Sequence, residues 1–190
     1  MSVWICRLKI RYYRDERDCE MIIGDPDLFA ICIEVVEEWN YDKSFNNGLL
    51  FFYINGVSFP EKMISATLNT EVHELIKNIE NIKEDINVFQ MEKEEAFIYI
   101  YKLTFPADYS LDNDYSYSMT PFVLWDNSYY VFVVSDGQNI RILASKLQYI
   151  KEESVHNLKG LEILEIYISA EKMQDMLEKL KVFQVQLLEK

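Results

Sequence analysis

The sequence predicts an α+β domain with an antiparallel β-sheet of about six to eight strands, one internal amphipathic helix and one C-terminal amphipathic helix. Two observations carry this prediction. Most apolar runs alternate at a period of two and are joined by hairpin signals, whereas only two segments repeat apolar residues at helical spacing. Strands joined directly by tight turns pair in antiparallel fashion. The 190 residues suit a single domain, and no internal repeat or low-complexity linker divides them.

The first twenty residues differ in charge from the rest of the chain. They contain five Lys or Arg and four Asp or Glu, whereas the other 170 residues contain 14 and 28. Residues 3–8 alternate in a way that permits a strand, but Met21 offers an alternative start that would make this segment an accessory extension. We therefore expect residues 1–20 to be either an edge strand or an N-terminal extension, followed by a single α+β domain at residues 21–190.

The first strands are predicted between residues 29 and 68. The apolar residues at 29, 31, 33 and 35 form one face of a strand, and residues 49–54 form a continuous apolar run. That run ends at Asn55-Gly56, a dipeptide typical of a two-residue hairpin. Pro60 limits the strand that follows the turn, and another strand is predicted at residues 63–68.

The internal helix follows, capped at its start by Asn69 or Thr70. Its apolar face contains Val72, Leu75, Ile76, Ile79 and Ile86. Its other face, which we expect to be solvated, contains Glu71, Glu74, Lys77, Glu80 and Lys83. This pattern is typical of a helix that lies on a sheet.

A second block of strands is predicted at residues 97–105, 122–125, 129–134, 140–144 and 161–168. Asp136-Gly137 joins two of these strands as a hairpin. Ser169 then caps the C-terminal helix. The apolar stripe of that helix contains Met173, Met176, Leu177, Leu180, Phe183 and Leu187.

Composition excludes several classes of function. A formal net charge of −13 argues against non-specific nucleic-acid binding, which needs a Lys/Arg footprint. The two histidines, His73 and His156, lie among charged neighbours, and the glycines are too dispersed for a phosphate loop. Cys6, Cys19 and Cys32 lack zinc-ligand spacing and are interpreted as reduced thiols. We therefore expect no catalytic residue, metal or cofactor, and the lack of a long uncharged apolar run predicts no membrane span.

The region between Lys102 and Arg141 differs in charge from an ordinary polar connection between strands. The 38 residues between Lys102 and Arg141 contain no Lys or Arg, and residues 108–119 lack the periodicity of a helix or strand. Tyrosine is enriched at interface cores, and unscreened aspartates steer a basic partner. We predict a partner-binding surface made of Asp108, Asp112, Asp114, Tyr115, Tyr117 and Asp126, with help from Glu37, Glu38 and Asp42. The alternative is a polar loop whose tyrosines partly fill the core.

Short motifs follow one another from Met21. They are Gly24-Asp25-Pro26, Phe29-Ala30-Ile31, Glu34-Val35-Val36-x-x-Trp39, Phe45-x-Asn47-Gly48, Tyr53-x-Asn55-Gly56 and Phe59-Pro60, and later Ser135-Asp136-Gly137 with Arg141-Ile142. Together they resemble the Immunity protein 42 family of bacterial polymorphic toxin systems, most densely up to about Leu68. Several have a structural explanation as well. Asp25 can accept local hydrogen bonds while Pro26 fixes φ in a turn, and Trp39 is interpreted as a packing residue.

The resemblance implies a cytoplasmic protein that binds and neutralises a cognate toxin and has no enzymatic activity. The acidic composition agrees with it, because toxin domains that attack nucleic acid are often basic. Two alternatives stay open. One is a structural homo-oligomer that pairs through Met173, Met176 and Leu180, and the other, less favoured, is a hydrolase that uses a pair of the abundant carboxylates. The sequence does not distinguish a monomer from a homodimer.

Overall fold

The structure is a computed structural model that describes residues 19–41, 45–108 and 110–189. The predicted alternatives for residues 1–18 therefore lie outside the described residues. The strands are β1 Cys19–Asp25, β2 Phe29–Val35, β3 Asn47–Ile54, β4 Val57–Phe59, β5 Ser65–Thr67, β6 Tyr129–Ser135, β7 Asn139–Lys146, β8 Gln148–Ile150, β9 Val155–Asn157 and β10 Leu164–Ser169. The helices are α1 Leu68–Glu80, α2 Ile86–Gln90, α3 Lys93–Thr104, α4 Phe122–Trp125 and α5 Ala170–Leu188, and a 3-10 turn spans Glu37–Trp39.

The strands form three sheets rather than one. A five-stranded sheet has the order β1-β2-β3-β4, with β5 also paired to β3, and a three-stranded sheet has the order β10-β7-β6. The strands β8 and β9 form a separate hairpin. Each of these pairings is antiparallel, so the predicted α+β class is confirmed.

The two predicted hairpins are confirmed. Asn55 and Gly56 have φ values of 52° and 76°, the left-handed pair that a two-residue turn between β3 and β4 requires. Asp136 organises the turn between β6 and β7, because its Oδ1 accepts the backbone N–H groups of Gln138 at 2.8 Å and Asn139 at 2.6 Å. Both turns use the local chemistry by which Asn, Asp and Gly favour chain reversal.

One large core joins the two sheets with α1 and α5. The predicted face of β2, residues 29, 31, 33 and 35, is buried in it together with the apolar stripe of α5. Met173, Met176 and Leu180 are at most 4% exposed, so this stripe is not available as a seam between subunits. A second cluster packs α3 against the opposite face of the three-stranded sheet. Among the described helices, none is long and apolar enough to cross a membrane.

The predicted strand at residues 97–105 is wrong, because this segment belongs to α3. Its buried residues, Ala96, Phe97, Ile100, Tyr101 and Thr104, recur at helical spacing, whereas Tyr99 is exposed. Aromatic residues at alternate positions hide this pattern, since the apolar residues between them complete the helical face. The strand prediction for residues 122–125 is also wrong, since they form the short helix α4.

The boundaries of the elements around α1 and β10 differ from the predicted ones. The strand predicted at residues 63–68 is reduced to β5, because Leu68 already begins α1, and the N-cap is Thr67 rather than Asn69 or Thr70. The last strand begins at Leu164 instead of residue 161.

Several of the motif residues hold turns and strands in place. The Oδ1 of Asp25 accepts the N–H of Asp27 at 3.0 Å, as interpreted from the sequence. The carbonyl of Pro26 accepts the N–H of Gly56 at 3.1 Å, and Pro60 is buried beside β4. Gly48 lies where β2 and β3 approach closely, because a Cβ there would stand 1.9 Å from the carbonyl oxygen of Glu34. Only glycine fits at that position.

Candidate partner-binding surface

Three aromatic side chains form an exposed cluster beside α4, which we call the aromatic patch: Tyr115, Phe122 and Trp125. The ring of Trp125 stacks on that of Phe122 with centroids 6.3 Å apart, and Tyr115 meets it edge-on at 5.3 Å. Tyr115 is 48% exposed and Phe122 43% exposed, whereas Trp125 is half-buried. These rings present apolar area to solvent in one place.

The aromatic patch is supported from the interior by further rings. Phe105 contacts Trp125 at 5.2 Å and Tyr130 at 5.6 Å, and it also contacts Tyr101 at 5.0 Å. Tyr101 and Tyr130 belong to the core cluster around α3. Because the rings pack on a fixed layer, a partner that binds them orders few side chains.

Glu71 in α1 fixes the backbone of the aromatic patch. Its two carboxylate oxygens accept the N–H groups of Phe122 at 2.8 Å and Val123 at 3.0 Å, which are the first donors of α4. The side chain is buried, so the prediction of an exposed Glu71 is wrong. Burial raises the pKa of Glu71, and the two backbone hydrogen bonds oppose that shift.

The carboxylates that the sequence placed at this surface have different surroundings. Asp108, Asp112 and Asp126 are exposed, whereas Asp114 is half-buried. Asp114 accepts the N–H of Ser116 at 2.9 Å and lies 3.6 Å from Lys83 Nζ. Hydrogen bonds from Ser116 hold the pKa of Asp114 below its usual range. Asp114 thus shapes its loop, and Asp108 also accepts a local hydrogen bond, from the N–H of Ser110 at 2.9 Å, although its side chain is exposed.

Tyr117 does not reach this surface, because it is 1% exposed within the core around α3. Its hydroxyl donates to Asp85 Oδ2 at 2.8 Å, and Lys83 Nζ lies 4.4 Å from its ring centroid. Burial and the Asp85 carboxylate raise the pKa of Tyr117. This tyrosine follows the structural alternative that the sequence left open.

A second surface segment consists of residues 36–41 and 45–46 and carries three further aromatic side chains; we call these described residues the 36–46 loop. Trp39 is 45% exposed, Tyr41 93% and Phe45 58%. Glu37 and Glu38, which the sequence placed at the binding surface, are exposed at its start. Asp42 lies outside the described residues.

Hydrogen bonds hold both ends of the 36–46 loop. The side-chain nitrogen of Asn40 donates to the carbonyls of Val36 at 2.7 Å and Asn47 at 3.0 Å. The Asn47 side chain in turn donates to the carbonyl of Trp39 at 3.2 Å. Within the loop, Trp39 lines a shallow cleft of about 360 Å³ together with Asn47, Ser65, Ala66 and Thr67.

Sequence reasoning missed Tyr41 and Phe45 as surface residues and interpreted Trp39 as a packing residue. The available signal was three aromatic residues within seven positions, in a connection between two predicted strands whose other residues are mostly charged or polar. Several large apolar side chains in a polar connection between strands indicate an exposed aromatic surface.

One polar cluster could be confused with a catalytic site. Ser128 Oγ lies 3.0 Å from His156 Nε2, and the Tyr101 hydroxyl lies 2.8 Å from Nδ1. Burial lowers the pKa of His156 and raises that of Tyr101, so both are neutral near pH 7. When Tyr101 donates to Nδ1, the ring proton is on Nε2 and is donated to Ser128, which leaves the serine without a base. We interpret the cluster as a link between α3, the turn before β6, and β9.

The described residues contain no group of three or more His, Cys, Asp or Glu side chains close enough to hold a metal ion. The exposed carboxylates beside the aromatic patch contribute negative charge to this surface.

Comparison with known proteins gives one family and one fold neighbour. The sequence model of the Immunity protein 42 family matches residues 21–183. A search of curated proteins finds no match. The crystal structure of CdiI from Burkholderia dolosa AUO158 is 24% identical in sequence and superposes with a TM-score of 0.63, covering 84% of this chain and 99% of that chain. This likeness shows that the two chains share a fold.

Proposed function

The chain belongs to the Immunity protein 42 family, and on this premise we propose that it neutralises a cognate toxin by covering the surface with which the toxin acts. Neutralisation of a toxin is the role of an immunity protein. Occlusion is the part that we add, and it rests on one observation: the exposed aromatic patch lies in a stretch of 38 residues without Lys or Arg.

The composition of the aromatic patch suits a protein partner. Tyr and Trp dominate the binding energy of interfaces, because their rings bury large areas with few rotatable bonds. Contiguous exposed apolar area is otherwise uncommon on a soluble chain. Trp125 and its neighbours therefore supply the apolar centre, and Asp108, Asp112 and Asp126 supply a charged rim.

We propose further that the partner is a basic toxin, of the kind that acts on nucleic acid in the cytoplasm. The rim carboxylates and the net charge of −13 favour encounter with a positively charged protein. Direct contact with nucleic acid is disfavoured by the same charge.

Binding rather than catalysis accounts best for the polar groups that are present. With the Tyr101 hydroxyl donating to His156 Nδ1, Ser128 has no base in the cluster described above. Glu71, Asp85 and Asp114 are engaged with N–H or O–H donors of the protein itself. A hydrolase would need two carboxylates at a defined separation across a cleft. The alternative homo-oligomer would need a seam other than the α5 stripe, which is core.

The test is co-expression with the toxin domain encoded directly upstream of this chain. We expect wild-type protein to restore growth to cells that produce that domain, and a Tyr115→Ser/Phe122→Ser variant to restore it poorly. Tyr167→Ala is a matched control, since Tyr167 is 46% exposed but lies in β10. Failure of the wild type to restore growth would contradict the proposed function. Full protection by the double variant would contradict the placement of the surface.

A further inference from the structure

The 36–46 loop and the aromatic patch are both attached to the first turn of α1. The backbone N–H of Asn46 donates to Asn69 Oδ1 at 2.8 Å, and the carbonyl of Asn46 accepts the N–H of Leu68 at 2.7 Å. Two positions further along the helix, Glu71 accepts the N–H groups that begin α4. The two exposed segments, which are 76 residues apart between positions 46 and 122, are thus neighbours in space.

The attachments lie on opposite sides of the helix. Successive residues of an α-helix are rotated by about 100°, so Asn69 and Glu71 project about 200° apart. A helix with its side chains is about 10 Å in diameter, so the loop and the patch are separated by roughly one helix width. Thr70 lies between these two anchoring residues and is exposed.

The loop side is further held by the end of α5. The Asn46 side chain donates to the carbonyl of Leu187 at 2.7 Å, so one asparagine connects the loop to α1 and to α5. Since α1 and α5 are both packed in the main core, the base of the loop has a defined position relative to the patch.

From this arrangement we infer that one continuous toxin-binding surface bridges the first turn of α1, with the 36–46 loop on one side and the aromatic patch on the other. This inference rests on the proposed function. It assigns Tyr41 and Phe45 to the binding surface together with Tyr115 and Phe122. It also places Thr70 near the centre of the contact.

The partner that fits is a toxin face that is basic and carries apolar recesses. Glu37 and Glu38 are exposed in the loop, Asp112 is exposed three positions before Tyr115, and Asp126 is exposed directly after Trp125, so both halves carry exposed carboxylates close in sequence to their aromatic residues. A specific interface buries about 800 Å² on each partner, an area roughly 30 Å across, which is wide enough to cover both halves and the helix turn between them.

The experiment measures the Kd with which the toxin domain encoded directly upstream binds immobilised variants of the full chain. The toxin domain is co-produced with the wild-type protein, separated from it in denaturant and refolded before the measurement. The variants are Tyr41→Ala/Phe45→Ala in the loop, Tyr115→Ser/Phe122→Ser in the patch, and Thr70→Trp at the bridge. The controls are Tyr167→Ala and Gln174→Trp, the second of which places the same bulky ring at an exposed position near the start of α5. Circular dichroism and thermal unfolding confirm that each variant is folded.

We expect each of the three test variants to raise Kd more than threefold, and both controls to change it less than threefold. A change in Kd below threefold in either double variant overturns the inference, because the surface would then be confined to one side of the helix turn. A change in Kd below threefold in Thr70→Trp overturns it as well, because the contact would then not cover that turn. If folding is impaired in the patch variant, the milder double variant Tyr115→Phe/Phe122→Leu replaces it, and the same threefold change in Kd is required. Loss of binding by the wild type itself would instead reject the proposed function and the inference with it.

Discussion

The carboxylate of Glu71 accepts the backbone N–H of Phe122 at 2.8 Å, which ties the first turn of α1 to the start of α4. The same carboxylate accepts the N–H of Val123, so both of its oxygens are used. Because both oxygens of this buried carboxylate accept N–H groups of α4, Glu71 fixes the position of that helix start. That segment carries Phe122 and Trp125 of the aromatic patch.

Glu71→Gln should loosen the aromatic patch. A glutamine can accept only one of the two hydrogen bonds with its oxygen, and its NH₂ group would face the other donor. We expect a loss of about 1.5–3 kcal/mol of unfolding free energy, the usual range for a hydrogen bond to a charged group. Urea denaturation measures it. Glu74→Gln, on a side chain paired with Lys77 at the surface, is the control and should change stability much less.

Glu165→Gln should destabilise the fold more than any exposed charge change. Arg141 is 2% exposed, and its guanidinium lies 2.6 Å from Glu165 while it also donates to the carbonyls of Phe89 and Met91. Removing the carboxylate leaves a buried cation without its counter-charge, which costs about 3 kcal/mol or more. Denaturant midpoints check this. Asp175→Asn breaks the exposed pair with Lys179 and should cost at most about 0.5 kcal/mol, and equal effects of the two changes would contradict the prediction.

Asp85 should make stability depend on acid. Hydrogen bonds from Tyr117 and from the start of α2 lower the pKa of Asp85 in the folded state. Its contribution is therefore fully present above the unfolded pKa, near 3.9, and is lost as pH falls through the lower folded value. Urea unfolding between pH 2 and pH 7 should show a smaller acid loss in Asp85→Asn than in the wild type. Identical profiles would mean that other carboxylates dominate.

Charge reversal at the exposed rim should slow association with the toxin. We expect Asp112→Lys/Asp126→Lys to lower the association rate constant about tenfold at low salt, because steering by complementary charge acts mainly on encounter. Stopped-flow measurements over a range of salt concentrations test this, and the salt dependence should also become weaker. Asp175→Lys/Glu178→Lys on α5 reverses two exposed charges elsewhere and serves as the control. An unchanged rate and salt slope in the rim variant would move the binding surface away from residues 112–126.

Ser128 should not react as a nucleophile. In the tautomer in which Tyr101 donates to His156 Nδ1, the ring proton is on Nε2 and is donated to Ser128 Oγ, so the hydroxyl has no proton acceptor. A fluorophosphonate probe should label the wild type no more than Ser128→Ala. Labelling that disappears in the variant would revive a catalytic interpretation.

The parts of the fold that follow from local rules were predictable. The turns at Asn55-Gly56 and Asp136-Gly137 need residues that tolerate or stabilise reversal, and few other residues do so. The α5 stripe was visible because Met173, Met176 and Leu180 repeat at helical spacing without interruption. By contrast, α3 was mistaken for a strand because Phe97, Tyr99 and Tyr101 alternate while the residues between them are also apolar.

The candidate site was predictable only in outline. The lack of Lys and Arg from residue 103 to residue 140 is a property of the sequence, and it pointed to the segment that carries the exposed aspartates. That Tyr117 turns inward depends on Asp85, which precedes it by 32 residues. That Glu71 is buried depends on donors more than 50 residues away. Tertiary partners of this kind leave no trace in local periodicity.

The placement of Trp39 and Trp125 makes the chain its own optical probe. Of its three tryptophans, one belongs to the 36–46 loop and one belongs to the aromatic patch, while the third, Trp4, precedes the described residues. With Trp4 replaced by Phe, variants that retain a single indole report on each half separately, through the change in emission when water is displaced. The order in which the two halves dock, and whether they dock together, can then be read from fluorescence without attaching a dye.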